Sequence, residues 1–129
     1  MQIIGHGIDL VETDRIAQML DEHSDRFLAR CFTAAEQAYV AQNRRRWVEH
    51  LAGRFAAKEA ILKALGTGWR DGIAWTDAEI LRLESGQPKV ALHGVCDKLA
   101  HEMGITHWQI SISHTRSYAM ASAIAAKSD

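Results

Sequence analysis

Glu59 is the residue in this sequence whose position first suggests chemistry. It lies in the stretch RFAAKEAILKALGTG, residues 54–68, whose alanines, leucines and lysines favour a helix. On a helical wheel of about 100° per residue, Leu51, Phe55 and Leu62 fall in one apolar stripe, and Glu59 falls in its middle. An ionised carboxylate on a buried face is costly unless it is paired, hydrogen-bonded or bound to a metal. Glu59 is therefore a candidate metal ligand or catalytic carboxylate.

The sequence also supports a simpler interpretation of Glu59. Lys63 follows one turn later, and a glutamate four residues before a lysine is a favourable pair on a helix. In that case the two side chains form a surface ion pair on a helix that packs only partly. The helix pattern by itself leaves both interpretations open.

Asp9 is a second acid in an apolar setting. Alternate residues of a strand share a face, so in GHGID Asp9 shares one with Gly5 and Gly7, and we expect open space beside it. Asp9 could instead end the strand and cap the next helix. Because Mg²⁺ is typically held by one or two carboxylates, with water and substrate phosphates completing its shell, Asp9 and Glu59 together would suit this ion.

The loop after the long helix, Gly66-Thr67-Gly68, could let the backbone approach a phosphate. It stands at the C-terminus of a helix, where the dipole disfavours anions. Lys63 and Arg54 would therefore have to supply the positive charge.

Further basic residues suggest two kinds of surface. Arg15, Arg26 and Arg30 lie in the first predicted helices, where they could form a face for an acidic partner or be scattered surface residues. The segment NRRRW, residues 43–47, could contact nucleic acid, but a net charge of −1 and the lack of a recognisable binding fold favour a solvated helix start.

Histidine and cysteine add little evidence for other chemistry. The seven histidines form no HExxH motif and no zinc spacing with cysteine. His114, in SISHT, ends a predicted strand and could either orient a phosphate or cap a turn. Cys31 and Cys96 are two cysteines in helix-like stretches, which favours free thiols and a reducing compartment.

The elements that must position these residues read as one α+β domain, residues 1–129, with helices packed on an antiparallel sheet. A capping-box pattern, TAAE from Thr33 to Glu36, predicts a helix start. The periodicity predicts strands at 2–10, 107–113 and 118–126, a hairpin from 78–84 and 88–93, and helices at 12–22, 26–32, 33 onward, 47–65 and 94–104.

Composition places the chain in the soluble globular class. Hydrophobic residues make up 47% and charged residues 24% of 129 residues. No run approaches eighteen apolar residues, and the start, MQIIGHGIDL, lacks the basic region of a signal peptide. We therefore expect a cytoplasmic protein without a membrane span.

Four segments together carry a resemblance to a known family. They are GHGIDLVETDRI, RFAAKEAILKALGTG, GQPKV and ISISHTRSYAMASAI, and they span nearly the whole chain in order. In these segments the chain resembles the holo-[acyl-carrier-protein] synthases, the small single-domain 4′-phosphopantetheinyl transferases. The resemblance implies the fold of that family and a homotrimer with sites between subunits.

The resemblance also implies roles for individual residues. Asp9 and Glu59 match the family's Mg²⁺ ligands, and Lys63 matches a lysine that contacts the phosphates of coenzyme A. The residues matched to the coenzyme A site are Arg54, Gly66, Thr67, Gly68, Pro88, His114 and Thr115, and those matched to the carrier-protein surface are Arg15 and, less closely, Arg26 and Arg30.

The implied reaction moves 4′-phosphopantetheine from coenzyme A to a serine of apo-acyl carrier protein, for fatty acid biosynthesis, and releases adenosine 3′,5′-bisphosphate. Catalysis of such a transfer consists mostly of positioning and charge neutralisation. Glu59, or a water on the metal, could take the serine proton. Alternatives are a transferase serving polyketide or peptide carrier domains and a non-catalytic coenzyme A-binding module.

Overall fold

A computed structural model describes residues 1–68 and 72–129 of the chain. Two sheets and four helices make up this part. The strands are β1 Gln2–Glu12, β2 Ala78–Arg82, β3 Pro88–Leu92, β4 His107–His114 and β5 Tyr118–Lys127, and the helices are α1 Thr13–Cys31, α2 Ala34–Ala41, α3 Trp47–Leu65 and α4 Gly94–Glu102. The predicted α+β class with helices on an antiparallel sheet is confirmed.

The larger sheet has the strand order β1-β5-β4, and all its pairs are antiparallel. The inner face of this sheet carries small side chains along β5. Every second residue of β5 points inward, and four of these residues are buried alanines: Ala119, Ala121, Ala123 and Ala125. Small side chains let a helix axis lie close to a sheet. Helix α3 lies across this face and contacts β1, β5 and β4.

Gly5 and Gly7 complete the close approach of α3. A Cβ atom on Gly5 would lie 2.0 Å from the carbonyl oxygen of Ala64, and one on Gly7 would lie 1.9 Å from that of Ala60. These distances are far below van der Waals contact, so only glycine permits the observed packing. The expectation of open space beside Asp9 is therefore wrong, because the backbone of α3 fills it.

The first helices agree with the sequence prediction in most details. The two helices predicted at 12–22 and 26–32 correspond to the two halves of α1, which are separated at Ser24, where φ and ψ are not helical. Thr33 and Glu36 form the predicted capping box at the start of α2. A single 3₁₀ turn, Arg44–Arg46, leads into α3, which has the predicted bounds.

Glu36 and Lys58 join these helices to the second sheet, the β2–β3 hairpin. Both side chains are fully buried, and Lys58 Nζ lies 2.8 Å from Glu36 Oε1. Lys58 also donates to the carbonyls of Trp75 and Ala78, and Glu36 accepts from the backbone N–H of Ile80. Because each charged group has several partners, the pair connects α2, α3 and β2 with its hydrogen-bonding capacity largely used.

The outer face of the larger sheet carries exposed apolar side chains. Ile8 and Leu10 of β1 lie beside Tyr118 and Met120 of β5, and each is between 42% and 62% exposed. Such a patch is typical of a surface that meets another protein. No helix in the described ranges is both long enough and apolar enough to cross a bilayer.

Both cysteines are free, as the sequence analysis predicts, and both are buried. Burial raises the pKa of Cys31 and of Cys96 to about 11. Their thiols are therefore protonated near neutral pH and serve as small core side chains.

Candidate functional site

Helix α3 is buried on nearly all sides, which changes the meaning of Glu59. From Leu51 to Leu65, every residue is buried except Glu59, which is half-buried, and Lys63, which is exposed. Glu59 therefore does not lie in the middle of a narrow buried stripe, as the wheel suggests. It lies with Lys63 on the one strip of this helix segment that its neighbours leave uncovered.

Asp9 lies beside this strip. Gly5 lies against Ala64 and Gly7 lies against Ala60. A step of two residues forward along β1 therefore matches a step of four residues backward along α3. Continued by two residues, this register brings Asp9 to the turn of α3 that contains Glu59. The two acids predicted from separate segments are thus on neighbouring elements.

Lys63 pairs with Asp9 and not with Glu59. Its Nζ lies 3.1 Å from Asp9 Oδ1 and 3.0 Å from the carbonyl oxygen of Ile8. Asp9 is 18% exposed and Lys63 53% exposed, so this pair is open to solvent on the lysine side. In the described part of the chain, Glu59 has no ion-pair partner, and the predicted surface pair between Glu59 and Lys63 is absent.

The donor set at this position fits a hard divalent cation. Among the described residues, no group of three or more His, Cys, Asp or Glu side chains is arranged to hold a metal. Asp9 and Glu59 offer two carboxylates, which is the usual number of protein ligands for Mg²⁺. Glu59 is only partly buried, so a cation can reach its carboxylate. The side chain of Lys63 is exposed and flexible, so it can leave Asp9 Oδ1 free to bind the cation.

A cavity of about 690 Å³ opens between α1, Phe55 of α3 and Trp75. Its floor includes the apolar side chains Phe27 and Phe55, and Phe55 lies one turn before Glu59. All three arginines predicted to form a partner surface line it: Arg15, Arg26 and Arg30. The Arg15 guanidinium lies 5.8 Å from the centre of the Phe55 ring.

Arg54 lies elsewhere, in a second cluster on the other side of α3. It is only 3% exposed, and its guanidinium lies 4.3 Å from the centre of the Tyr39 ring. Nine residues, or about two and a half turns, separate Arg54 from Lys63, which places them on opposite sides of the helix. Within one chain, Arg54 and Lys63 therefore do not meet the same phosphate, contrary to the expectation that they act together.

His114 belongs to this second cluster. Its Nδ1 lies 3.1 Å from Glu49 Oε2, and its ring packs edge-on against His50. Burial, together with the charge of Arg54, lowers the pKa of His50, so that this ring is neutral near pH 7. Arg82, at the end of β2, places its guanidinium 5.1 Å from the Tyr39 ring and adds a further positive charge.

The other predicted site residues are turn and strand-end positions. Gly66 ends α3 with φ of +76°, and Gly68 follows with φ of +62°, so both use conformations that favour glycine. Pro88 opens β3 opposite Arg82, which brings it near the second cluster. The Thr115 hydroxyl accepts hydrogen bonds from the backbone of Ser117 and Tyr118 and so holds the turn after His114.

Residues 5–123 match the family model described as the 4′-phosphopantetheinyl transferase superfamily. A holo-[acyl-carrier-protein] synthase of Solibacter usitatus is 43% identical over 122 residues, which cover 95% of this chain and 97% of the relative. The chain belongs to the holo-[acyl-carrier-protein] synthase family. This confirms the resemblance found in the sequence and makes the protein a 4′-phosphopantetheinyl transferase by family.

Two solved structures of the family share the fold over almost the full length. A holo-[acyl-carrier-protein] synthase of Neisseria meningitidis has a TM-score of 0.88 at 32% identity, covering 97% of this chain and 99% of that one. One from Bacillus anthracis, in complex with CoA (3′,5′-ADP), has a TM-score of 0.82 at 32% identity, covering 99% and 100%.

Sequence reasoning missed the side chains that surround Arg54 and His114. Tyr39, Glu49, His50 and Arg82 come from α2, α3 and β2, and no spacing rule connects them. The sequence held one local indication: His50 lies four residues before Arg54 in the same long helix, and Glu49 lies next to His50, so both are close to Arg54 along the helix. The role of Lys58 as the buried partner of Glu36 was also not predicted.

Proposed function

We propose that this enzyme transfers 4′-phosphopantetheine from coenzyme A to a serine of apo-acyl carrier protein, releasing adenosine 3′,5′-bisphosphate. The observation that carries the proposal is the uncovered strip of α3, where Lys63 contacts Asp9 and Glu59 lies one turn before Lys63, with an arginine-lined cavity at Phe55 of the preceding turn. The family supports the substrates, since its members are named for this reaction and one is bound to CoA. We also propose that the enzyme acts in the cytoplasm, in fatty acid biosynthesis.

In the proposed reaction the carrier serine oxygen forms a bond to the pantetheine-side phosphorus. The bond from that phosphorus to the bridging oxygen breaks, and the adenosine bisphosphate leaves. Asp9 and Glu59 would hold Mg²⁺, which when bound supplies divalent positive charge to the pyrophosphate. Lys63 exchanges its contact with Asp9 for one with the leaving phosphate, and Glu59 is the candidate acceptor of the serine proton among the chain's own groups.

The arginine-lined cavity supports the choice of an acidic carrier protein as the second substrate. Arg15, Arg26 and Arg30 offer three positive charges around an apolar floor. An acidic helix with an apolar side chain at its centre would complement such a surface. The cavity adjoins the turn that carries Glu59, so a partner seated there would bring its serine near the reacting phosphorus.

We further propose that the enzyme works as a homotrimer whose sites lie between subunits. Lys63 and the cluster that contains Arg54 and Arg82 lie on opposite sides of α3, so two copies of the chain would most simply provide both to one coenzyme A molecule. The exposed apolar face of the larger sheet, with Ile8, Leu10, Tyr118 and Met120, offers a surface for such contacts. The number of subunits rests on the family resemblance.

The test is to incubate the protein with coenzyme A, Mg²⁺ and apo-carrier protein and to weigh the carrier by mass spectrometry. We expect a gain of one phosphopantetheine arm. We expect Asp9→Ala and Glu59→Ala to lower the rate by about 100-fold or more, because each removes charge stabilisation at the reacting group. Glu84→Ala, an exposed acid in the β2–β3 turn, is the control and should retain activity.

Wild-type protein that leaves the carrier unchanged, while still binding coenzyme A, would favour the binding-module alternative. Full activity in Asp9→Ala or Glu59→Ala would contradict the metal assignment. Comparing carriers from fatty acid, polyketide and peptide synthesis would identify the partner, and the expected preference is for the fatty acid carrier.

A further inference from the structure

Tyr39 lies between two guanidinium groups that come from different elements. Its ring centre is 4.3 Å from Cζ of Arg54 in α3 and 5.1 Å from Cζ of Arg82 at the end of β2. Both distances are within the range of a cation–π contact. One aromatic side chain of α2 thus contacts two like charges, which places those charges close together in space.

Arg54 has no ion-pair partner among the described residues, although the charge of Glu36 favours its charged form. Its side chain is almost fully buried, and its Nε has no hydrogen-bond partner among residues 1–68 and 72–129. Nη1 makes one long hydrogen bond, 3.5 Å, to the carbonyl oxygen of His50. In the same ranges, no carboxylate oxygen lies within 4.0 Å of the guanidinium of Arg54 or Arg82.

A buried guanidinium beside a second cation would move to solvent unless another group held it. Burial lowers the pKa of Arg54, whereas the phenol group of Tyr39, through its charge and a side-chain hydrogen bond, and the charge of Glu36 act in the opposite direction. The Tyr39 ring contacts both guanidiniums, and its electron-rich face attracts each of them. It also packs edge-on against His50, which fixes the ring itself.

We propose that Tyr39 is a positioning residue of the coenzyme A site: its ring holds Arg54, against the repulsion of Arg82, in the orientation that receives an anionic group of the substrate. This inference rests on the proposed function, in which Arg54 contacts coenzyme A. The side chain acts through Arg54 and does not itself contact the substrate.

The experiment measures the dissociation constant of coenzyme A by isothermal titration calorimetry for wild type, Tyr39→Phe, Tyr39→Leu, Arg54→Ala and the double variant Tyr39→Leu/Arg54→Ala. Tyr39→Phe keeps the ring and removes only the hydroxyl, which hydrogen-bonds to Arg54, so we expect its dissociation constant to rise by less than that of Tyr39→Leu. Tyr39→Leu removes the ring, and we expect an increase of about 3- to 10-fold, the size of one cation–π contact. In the Arg54→Ala background, the leucine substitution should have no further effect.

Val40→Ala is the matched control for loss of stability. Val40 lies in the same helix and is fully buried, so the substitution loosens the packing of α2 and leaves the ring in place. We expect it to lower the thermal midpoint without changing coenzyme A binding. The KM for the carrier protein should remain at the wild-type value in Tyr39→Leu.

Three results would overturn the inference. The first is a Tyr39→Phe variant as weak as Tyr39→Leu, and the second is an equal effect of Tyr39→Leu with and without Arg54. The third is a Val40→Ala variant that weakens coenzyme A as much as Tyr39→Leu does. If Arg54→Ala binds coenzyme A like wild type, the assignment of Arg54 within the proposed function fails as well, while transfer to the carrier, measured separately, still tests the activity.

Discussion

Replacing Gly7 with alanine is expected to separate α3 from β1 and to damage the site without touching any of its side chains. The added Cβ would lie 1.9 Å from the carbonyl oxygen of Ala60 and 2.8 Å from the amide nitrogen of Ala64. Both obstacles are backbone atoms of α3, so neither can rotate away. Restoring ordinary contact requires the helix and strand to move apart by more than about 1 Å.

The expected change in the free energy of unfolding follows from this displacement. Overpacking of a close-packed core costs about 1–3 kcal/mol, and a clash with the helix backbone belongs at the upper end. The loss of chain entropy in the unfolded state on replacing glycine returns about 0.4–1 kcal/mol. We therefore expect the free energy of unfolding to fall by about 2 kcal/mol, which lowers the urea midpoint by about 1–2 M.

The same displacement changes the distance between Asp9 on β1 and Glu59 on α3. An error of about 1 Å in a catalytic arrangement can reduce the rate by about 100-fold. Urea unfolding followed by tryptophan fluorescence measures stability. Mass spectrometry of the carrier protein measures the rate, in buffer without urea, where the variant is still folded.

Gly53→Ala is the matched comparison, because it adds the same methyl group to α3 itself. Its Cβ would lie 2.9 Å from Cγ2 of Ile112, a side-chain methyl group and not a backbone atom, so a small shift of that side chain relieves the contact. Alanine is favoured over glycine inside a helix by about 1 kcal/mol, which offsets the small repacking cost. We expect a midpoint close to that of wild type and full activity.

A Gly7→Ala protein that unfolds at the wild-type urea concentration would refute this reasoning. If it also bound coenzyme A more weakly, the original expectation of open space for a ligand beside Asp9 would be restored. Equal losses in Gly7→Ala and Gly53→Ala would show that added volume alone, and not the backbone contact, determines the cost.

Three further predictions follow from single contacts. Glu36→Gln should lower the free energy of unfolding by about 3–5 kcal/mol in urea, because it leaves Lys58 buried without a counter-charge; a loss below 1 kcal/mol would contradict a buried charged pair. Burial acts to raise the pKa of Glu79, but hydrogen bonds from Thr33 and His93 outweigh it and hold the pKa below 4.5. The carboxylate therefore stabilises the fold above pH 4.5, and the advantage of wild type over Glu79→Gln should disappear as acid titration passes below that value. Arg15→Glu should raise the KM for the carrier protein roughly tenfold, the loss of one charge-assisted contact, and equal changes in the KM for coenzyme A would argue against a docking role.

Local patterns in the chain were sufficient to predict most of the secondary structure. The capping box of Thr33 and Glu36, the bounds of α3 and the β2–β3 hairpin are confirmed, because caps, helical periodicity and turn residues act over a few neighbouring positions. The division of α1 was also visible in the polar stretch around Ser24. The structure agrees, because the backbone of Ser24 is not helical and separates two helical halves.

Asp9 and Glu59 could be selected from the sequence because an acid among apolar residues conflicts with its local pattern. The resemblance of four segments to a known family then indicated coenzyme A as the substrate on which these two acids act. Their geometric relation could not be derived, since it depends on how closely β1 and α3 approach each other. That approach is set by Gly5, Gly7 and the alanines of β5, which come from both ends of the chain.

By itself, the sequence determined the order of elements, the family and the two acids at the candidate site. Only the tertiary structure decided which lysine of α3 is buried and which is free. Lys58 and Lys63 belong to the same helical pattern, yet Lys58 is enclosed by α2 and β2 while Lys63 faces Asp9. The physical reason is that a helix fixes the angles between its side chains, whereas the elements packed around it determine which of those directions reach water.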